Sequence, residues 1–177
     1  MSTVLQLGEM PPYLKDLFNS EYAFLVLLAV FVLEGAMLMY IMPSELIVPS
    51  AILLIGDTSK LLAPDNLVII GIAVAGATVG QYVLFKVAER GGRDYLLGKR
   101  WFRISEEKLD KFDGWFQRWG PIVVPLSNTM LFTRGMLTVP AGFSELDGRR
   151  FMALSALGTL SFELILAGLF VFSGRLL

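Results

Sequence analysis

The sequence contains no cysteine and no histidine, and only 18% of its 177 residues are charged. Without cysteine there is no disulfide framework, no thiolate nucleophile and no zinc–thiolate site. Without histidine there is no Ser-His triad, no HExxH metal site and no imidazole proton shuttle, so any proton chemistry falls to carboxylates. Fifteen Lys and Arg stand against 16 Asp and Glu, a net charge of −1. No basic stripe is long enough to track a nucleic acid, and nucleic-acid partners are excluded on that ground. The N-terminal stretch MSTVLQLGEMPPYLKDLF has neither a basic n-region nor an A-x-A cleavage pattern, so it is expected to belong to the mature protein.

What is abundant is hydrocarbon. Hydrophobic residues make up 55% of the chain and its mean hydropathy is +0.64. Soluble domains run at roughly 45–50% apolar and about 25% charged, so this balance points to lipid as the solvent and to one membrane domain over 1–177. Between Glu21 and Asp57 no Lys or Arg occurs. As one helix this stretch would run to roughly 50 Å, too long for a hydrocarbon core of about 30 Å. Pro43 and Pro49 are expected to break it, making 22–56 an interrupted apolar segment behind an interfacial stretch, 1–21. A clean spanning helix follows over 66–88. From 86 to 118 the chain carries nine of its 15 Lys and Arg, all three Trp lie in or beside this segment, and the positive-inside rule puts this loop in the cytoplasm. Ser105 reads as an N-cap before Glu106 and Glu107, and Leu109, Phe112, Phe116 and Trp119 recur at helical spacing, so 95–118 is expected to hold a basic amphipathic helix in the headgroup layer. The alternative is a solvated helix packed on a small extramembrane knob. Residues 119–144 form a second apolar segment containing Pro121, Pro125, Pro140 and Gly142, with Pro140 and Gly142 as its expected re-entrant breaks, and 150–174 a second span.

The order is interrupted segment, span, basic helix, interrupted segment, span. This predicts an all-α membrane protein built as an inverted repeat, each half a re-entrant broken helix followed by a transmembrane helix. Four ordinary transmembrane helices are the simpler alternative.

Four ionisable residues fall inside the apolar segments: Glu34, Glu45, Arg134 and Glu163. Each ionised group near the bilayer centre costs on the order of 2.5–3.5 kcal/mol on insertion scales, so such residues pair or line a wet cavity. Arg134 cannot shed its proton, and its planar fork suits a carboxylate or a phosphate. Glu34 and Glu45 are its expected counter-charges or proton carriers; a structural ion pair, or a helix-capping role for Glu45, would satisfy the same residues. Glu163 is a secondary candidate. The small residues from Gly71 to Gly80, including the GxxxG at Gly76 and Gly80, make a smooth helix face for close packing within the chain, with homodimerisation as the alternative use. The acids of the basic loop are interleaved with Lys and Arg as on an ordinary solvated helix, which offers no metal site and no enzyme chemistry.

Three stretches carry a family resemblance: Glu34 followed by the Pro-Ser-Glu of Pro43 to Glu45; GATVGQYVLFKVAERGG from Gly76 to Gly92; and RGMLTVPAGFSELDGRRF from Arg134 to Phe151. Over roughly residues 30–174 the chain resembles the DedA family of membrane proteins, also called the SNARE-associated or VTT domain. The resemblance implies two re-entrant helices entering from opposite sides of a plasma membrane, no cofactor, and lipid handling. Bacterial members are implicated in proton-dependent movement of undecaprenyl phosphate and phospholipids, and eukaryotic relatives in phospholipid scrambling. It also implies that Glu34 and Glu45 are the family's membrane acids and Arg134 its second arginine. The first arginine falls on Asn128, a proline on Leu131, and the acid after the GxxxG on Gln81. Asn128 is then expected to donate to a phosphate oxygen beside Arg134. The resulting expectation is a lipid transporter moving a phosphate-bearing lipid between leaflets. A proton-coupled exporter of small cations or solutes using the same acids, and a noncatalytic scaffold using the GxxxG face, are the competing readings.

Overall fold

The computed structural model describes residues 22–38, 46–97, 105–131 and 133–173. Pro43, Glu45, the stretch 1–21 and Trp101 lie outside them. Every element is helical: α1 Ala23–Gly35, α2 Ile47–Ile55, α3 Pro64–Leu97, α4 Glu106–Trp119, a 3-10 turn Gly120–Ile122, α5 Val123–Thr129, α6 Thr138–Phe143 and α7 Gly148–Ser173. No strand occurs among the described residues.

Two helices are long and apolar enough to cross a membrane, Pro64–Gly92 within α3 and α7. Their 29 and 26 residues correspond to about 43 and 39 Å. Gly92, at φ 71°, breaks α3 at the end of its apolar part. The remaining helices are short. α1 has 13 residues, α2 nine, α5 seven and α6 six, all below the length that spans about 30 Å of hydrocarbon. α1 closes with Met37 in the left-handed region at φ 57°, while Leu38 N–H donates to the Leu33 carbonyl at 2.9 Å, a tight C-terminal wrap one turn beyond Glu34.

The prolines sit differently from the sequence expectation. Pro49 and Pro140, read above as breaks, each occupy the third residue of a helix, α2 and α6, and Pro125 does the same in α5. First-turn N–H groups have no intrahelical acceptor, so proline is tolerated there. The interruption before α6 is the turn 133–137 instead. Gly142 is not a break either: it is a helical, buried residue where an added Cβ would lie 2.6 Å from Ala88 Cβ and from the Phe85 carbonyl oxygen, so its missing side chain lets α6 touch α3.

α3 is the central helix, with α1, α6 and α7 packed on it. A Cβ on Gly76 would stand 2.7 Å from Phe31 Cβ, and one on Gly80 2.6 Å from Ala36 N, so α1 covers the GxxxG face. Ile69 of α3 shares a core with Ala167 of α7, and Phe85 of α3 stacks on Phe151 of α7 at 4.4 Å between centroids. The two long helices therefore run antiparallel. One apolar cluster (Leu27, Phe31, Ile52, Ile69) lies toward one end and a second (Phe85, Val124, Ala141, Phe151) toward the other. Polar residues are buried between them.

α4 starts with Glu106 and Glu107 and ends with Arg118, matching the helix dipole at both ends. Its Phe112 is buried against Val123 and Leu137, with Phe116 beside it, so the predicted aromatic stripe is split. Phe112 and Phe116 face the protein, and Trp115 and Trp119 are exposed. Lys111 and Arg118 lie over those two indole rings at 5.6 and 5.8 Å.

Candidate functional site

The turn between α5 and α6 carries Arg134 at its corner. Met136 N–H donates to the Thr133 carbonyl at 3.0 Å, and Gly135, third residue of that turn, has φ 72°. Positive φ at this position favours glycine, which is why Arg134 is followed by one. Asn128 fixes the turn from behind: its Oδ1 accepts the Gly135 N–H at 3.0 Å.

The Arg134 side chain is only 5% exposed and its charge is met from two helices. Nη2 donates to Glu163 Oε1 of α7 at 2.8 Å, and Glu34 Oε2 of α1 stands 3.6 Å from the same nitrogen. The Phe162 ring lies 4.3 Å from Cζ, adding a cation–π face. Two carboxylates thus share one nitrogen of a guanidinium. Among the described residues, Arg134 Nε and Nη1 are buried with no hydrogen-bond partner, as are Glu163 Oε2 and the hydroxyls of Thr78 and Thr159. A buried donor left unmade costs about 1–3 kcal/mol, more when charged, so this guanidinium has strong unused capacity for an anion.

A second buried polar cluster sits beside the first. Asn128 Nδ2 donates to Gln81 Oε1 at 2.8 Å and lies 3.3 Å from Ser155 Oγ, which itself donates to Gln81 Oε1. Asn128 Nδ2 and Oδ1 are both engaged within the protein. These bonds hold the Arg134 turn against α3 and α7. Gln81 and Asn128, the two polar departures from the family pattern noted above, are hydrogen-bonded to each other.

Of the residues singled out by sequence, the structure brings Glu34, Arg134 and Glu163 together. Glu45 lies outside the described residues. Glu163 is the nearer of the two described acids, although the sequence reading ranked it behind Glu34 and Glu45. Ser155 and Phe162 were not anticipated. The signal for them was the spacing of Ser155, Thr159 and Glu163 at four-residue intervals, which places three polar side chains on one face of an otherwise apolar helix. No group of three or more metal-ligating side chains occurs among the described residues.

Long apolar helices enclosing a buried guanidinium and its carboxylates define a helical membrane protein with a polar interior layer. The VTT domain family model matches residues 42–172, and the chain belongs to that family. It is 28% identical over 103 residues to undecaprenyl phosphate transporter A of Bacillus subtilis (strain 168), covering 57% of this chain and 50% of that protein. To undecaprenyl phosphate transporter A of Staphylococcus aureus (strain NCTC 8325 / PS 47) it is 25% identical over 158 residues, covering 85% of this chain and 75% of that protein. The uncharacterized membrane protein YbfM of Bacillus subtilis (strain 168) is 24% identical over 89 residues, 49% of this chain and 54% of that protein. The aligned region thus spans about half the length of the two Bacillus relatives. No solved structure matches the chain.

Proposed function

We propose that the protein moves a phosphate-bearing lipid, a polyprenyl phosphate or a phospholipid, between the leaflets of the plasma membrane, with Arg134 as the headgroup contact. The observation that carries this reading is the buried guanidinium with two unoccupied donors among the described residues, Nε and Nη1, beside an occupied Nη2. Nε and Nη1 lie on different edges of the guanidinium, each sharing its edge with Nη2, so each is left to donate singly to a phosphate oxygen, and the names of the two transporter relatives point to the same chemistry. In this reading the segments 22–56 and 119–144 are re-entrant hairpins of an inverted repeat, and loop 86–118 faces the cytoplasm. The short α5 and α6, joined by the Arg134 turn, support the hairpin. The headgroup enters the polar layer while the tails stay in lipid, and no covalent step is needed. As phosphate engages Arg134, protonation of Glu34, Glu45 or Glu163 keeps the charge of the cluster constant, which is the route to proton coupling.

Reconstituted into vesicles, the wild-type chain accelerates flipping of a labelled phospholipid or of a polyprenyl phosphate. Arg134→Gln abolishes it, and Arg134→Lys, which keeps the charge but loses the fork, retains a small part. Wild-type flipping rates in a correctly folded Arg134→Gln variant overturn the assignment. Export of a small cation is the second reading, favoured by two carboxylates facing one guanidinium. It predicts substrate-dependent proton flux without lipid movement.

A further inference from the structure

A second basic feature lies at the end of α3, away from the Arg134 cluster. A cavity of 460 Å³ is lined by Tyr82, Val83, Lys86, Val87, Arg90 and Gly91. Tyr82, Lys86 and Arg90 recur every four residues and share one helix face. Val83 and Val79 are exposed about one and two turns deeper along α3 than Lys86. The order along the helix is therefore aliphatic, then an aromatic hydroxyl, then two cations, ending at the Gly92 kink where the apolar span stops. That sequence of chemistries matches the depth profile of a lipid: tail, interface, headgroup.

The start of α7 borders the same place. A Cβ on Gly148 would meet Tyr82 Cε2 at 3.1 Å and Lys86 Nζ at 3.4 Å, and the next residues, Arg149 and Arg150, are exposed. Three acids share the neighbourhood, and one of them, the exposed Glu145, lines a neighbouring groove with Asp147 and Arg150. Glu89 pairs with Lys86 at 2.5 Å, and Asp147 is spent capping the helix, accepting the Arg149 and Arg150 N–H groups at 3.0 and 3.2 Å. Four bases against three acids leave the patch net positive by one, and Arg90 has no ion-pair partner among the described residues. The Lys86–Glu89 pair is partly exposed, so Lys86 keeps donors for a further anion.

We propose that this cavity binds the headgroup of an acidic phospholipid, with Lys86 and Arg90 on the phosphate, Tyr82 at the interface and an acyl chain along Val83 and Val79. Such a lipid bridges the end of α3 to the start of α7 and is resident rather than transported. The site is independent of lipid flipping through Arg134.

The test is native mass spectrometry of the full chain released from neutral detergent, with phosphatidylglycerol or phosphatidylcholine added. Two interfacial cations favour the acidic lipid by roughly tenfold or more. Phosphatidylglycerol adducts therefore exceed phosphatidylcholine adducts by that factor in the wild type and in Arg134→Gln, and the preference falls to near parity in Lys86→Gln/Arg90→Gln. Arg90→Gln alone, an exposed change that spares folding, lowers it several-fold. Equal retention of both lipids by the wild type overturns the proposal, as does an unchanged preference in the double variant. Loss of the preference in Arg134→Gln alone moves the acidic lipid to the central cluster and also overturns it. Displacement of phosphatidylglycerol by millimolar inorganic phosphate means a free-anion site without a tail contact, and it too overturns the proposal. Failure of Arg134→Gln to stop flipping bears on the transport reading and leaves this site intact.

Discussion

Glu163→Gln is the sharpest perturbation of the buried cluster, because it removes one charge and keeps both the shape and an acceptor oxygen. Glu163 Oε1 takes Arg134 Nη2 at 2.8 Å, with side-chain exposures of 1% and 5%, whereas Glu34 stands at 3.6 Å and is 13% exposed. At an effective dielectric of about 20 the gross attraction is about 6 kcal/mol at the first separation and about 5 kcal/mol at the second. Desolvation offsets much of either. Removing one member of a buried pair costs about 3–5 kcal/mol when it strands the other charge. Here Glu34 remains and the amide still accepts, so the expected net loss is about 1–3 kcal/mol. For a chain of this length that lowers the unfolding midpoint by roughly 3–10 °C. The assay is thermal unfolding in detergent, followed by the fluorescence of Trp101, Trp115 and Trp119. Glu34→Gln shifts the midpoint less, because its pair is longer and wetter. A double-mutant cycle of Glu163→Gln with Arg134→Gln gives a coupling of about 1 kcal/mol or more, the size expected of directly paired groups. An unchanged midpoint in Glu163→Gln, a larger drop in Glu34→Gln, or strict additivity in the cycle refutes the argument that Glu163 is the principal counter-charge.

Three further outcomes follow from the packing and hydrogen bonds. Gly80→Leu forces a side chain onto the Val32 carbonyl and Ala36 of α1 and lowers the unfolding midpoint sharply. Gly71→Ala, with open space around it, leaves the midpoint unchanged or raises it slightly. Gln81→Leu removes the acceptor of the Ser155 hydroxyl and the shortest bond of the Asn128 amide, which keeps only its longer contacts to Ser155, at a cost of about 1–3 kcal/mol for a buried group left unsatisfied, and loosens the Arg134 turn. Hydrogen exchange at Gly135 N–H reads that loosening, and unaltered protection there contradicts the positioning role of Asn128. In the loop after α2, the Ser59 hydroxyl and N–H donate to Asp57 and hold its carboxyl below the ordinary value of 3.8. A depressed folded value means the contribution is present above the ordinary carboxylate range and is lost as pH falls through the folded value. Ser59→Ala moves the Asp57 titration upward, as seen by carboxyl NMR; an unmoved titration breaks the assignment.

Much of the architecture is legible in residue order because it depends on local pattern. The uncharged run after Asn66 and the apolar run after Phe151 read as long helices, and both are. The GxxxG of Gly76 and Gly80 reads as a close-packing face, and α1 lies on it. Proline was harder to read. A missing N–H is costly inside a helix and harmless in its first turn, so Val48-Pro49, Val124-Pro125 and Val139-Pro140 each fit a break or a beginning. Only the backbone conformation separates the two. Gly142 illustrates the same ambiguity: glycine serves a turn or a tight crossing equally well, and here it serves the crossing. The aromatic spacing of α4 announced amphipathicity but not which side faces the protein, since Phe112 and Trp115 are both large and apolar.

By itself the sequence determined the solvent, the two long spans, the basic loop between them and the small set of charges that must be accommodated in a low-dielectric interior. Those follow from hydropathy and charge, which each residue carries wherever it is placed. The tertiary structure alone decided which acid meets Arg134, that Asn128 meets Gln81, and which buried donors are left over. Arg134 and Glu163 are 29 residues apart in sequence, and Asn128 and Gln81 are 47 apart. Such pairings are set by how small residues let α1, α5 and α6 approach α3 and α7, and a few ångströms of helix translation would give each polar group a different partner.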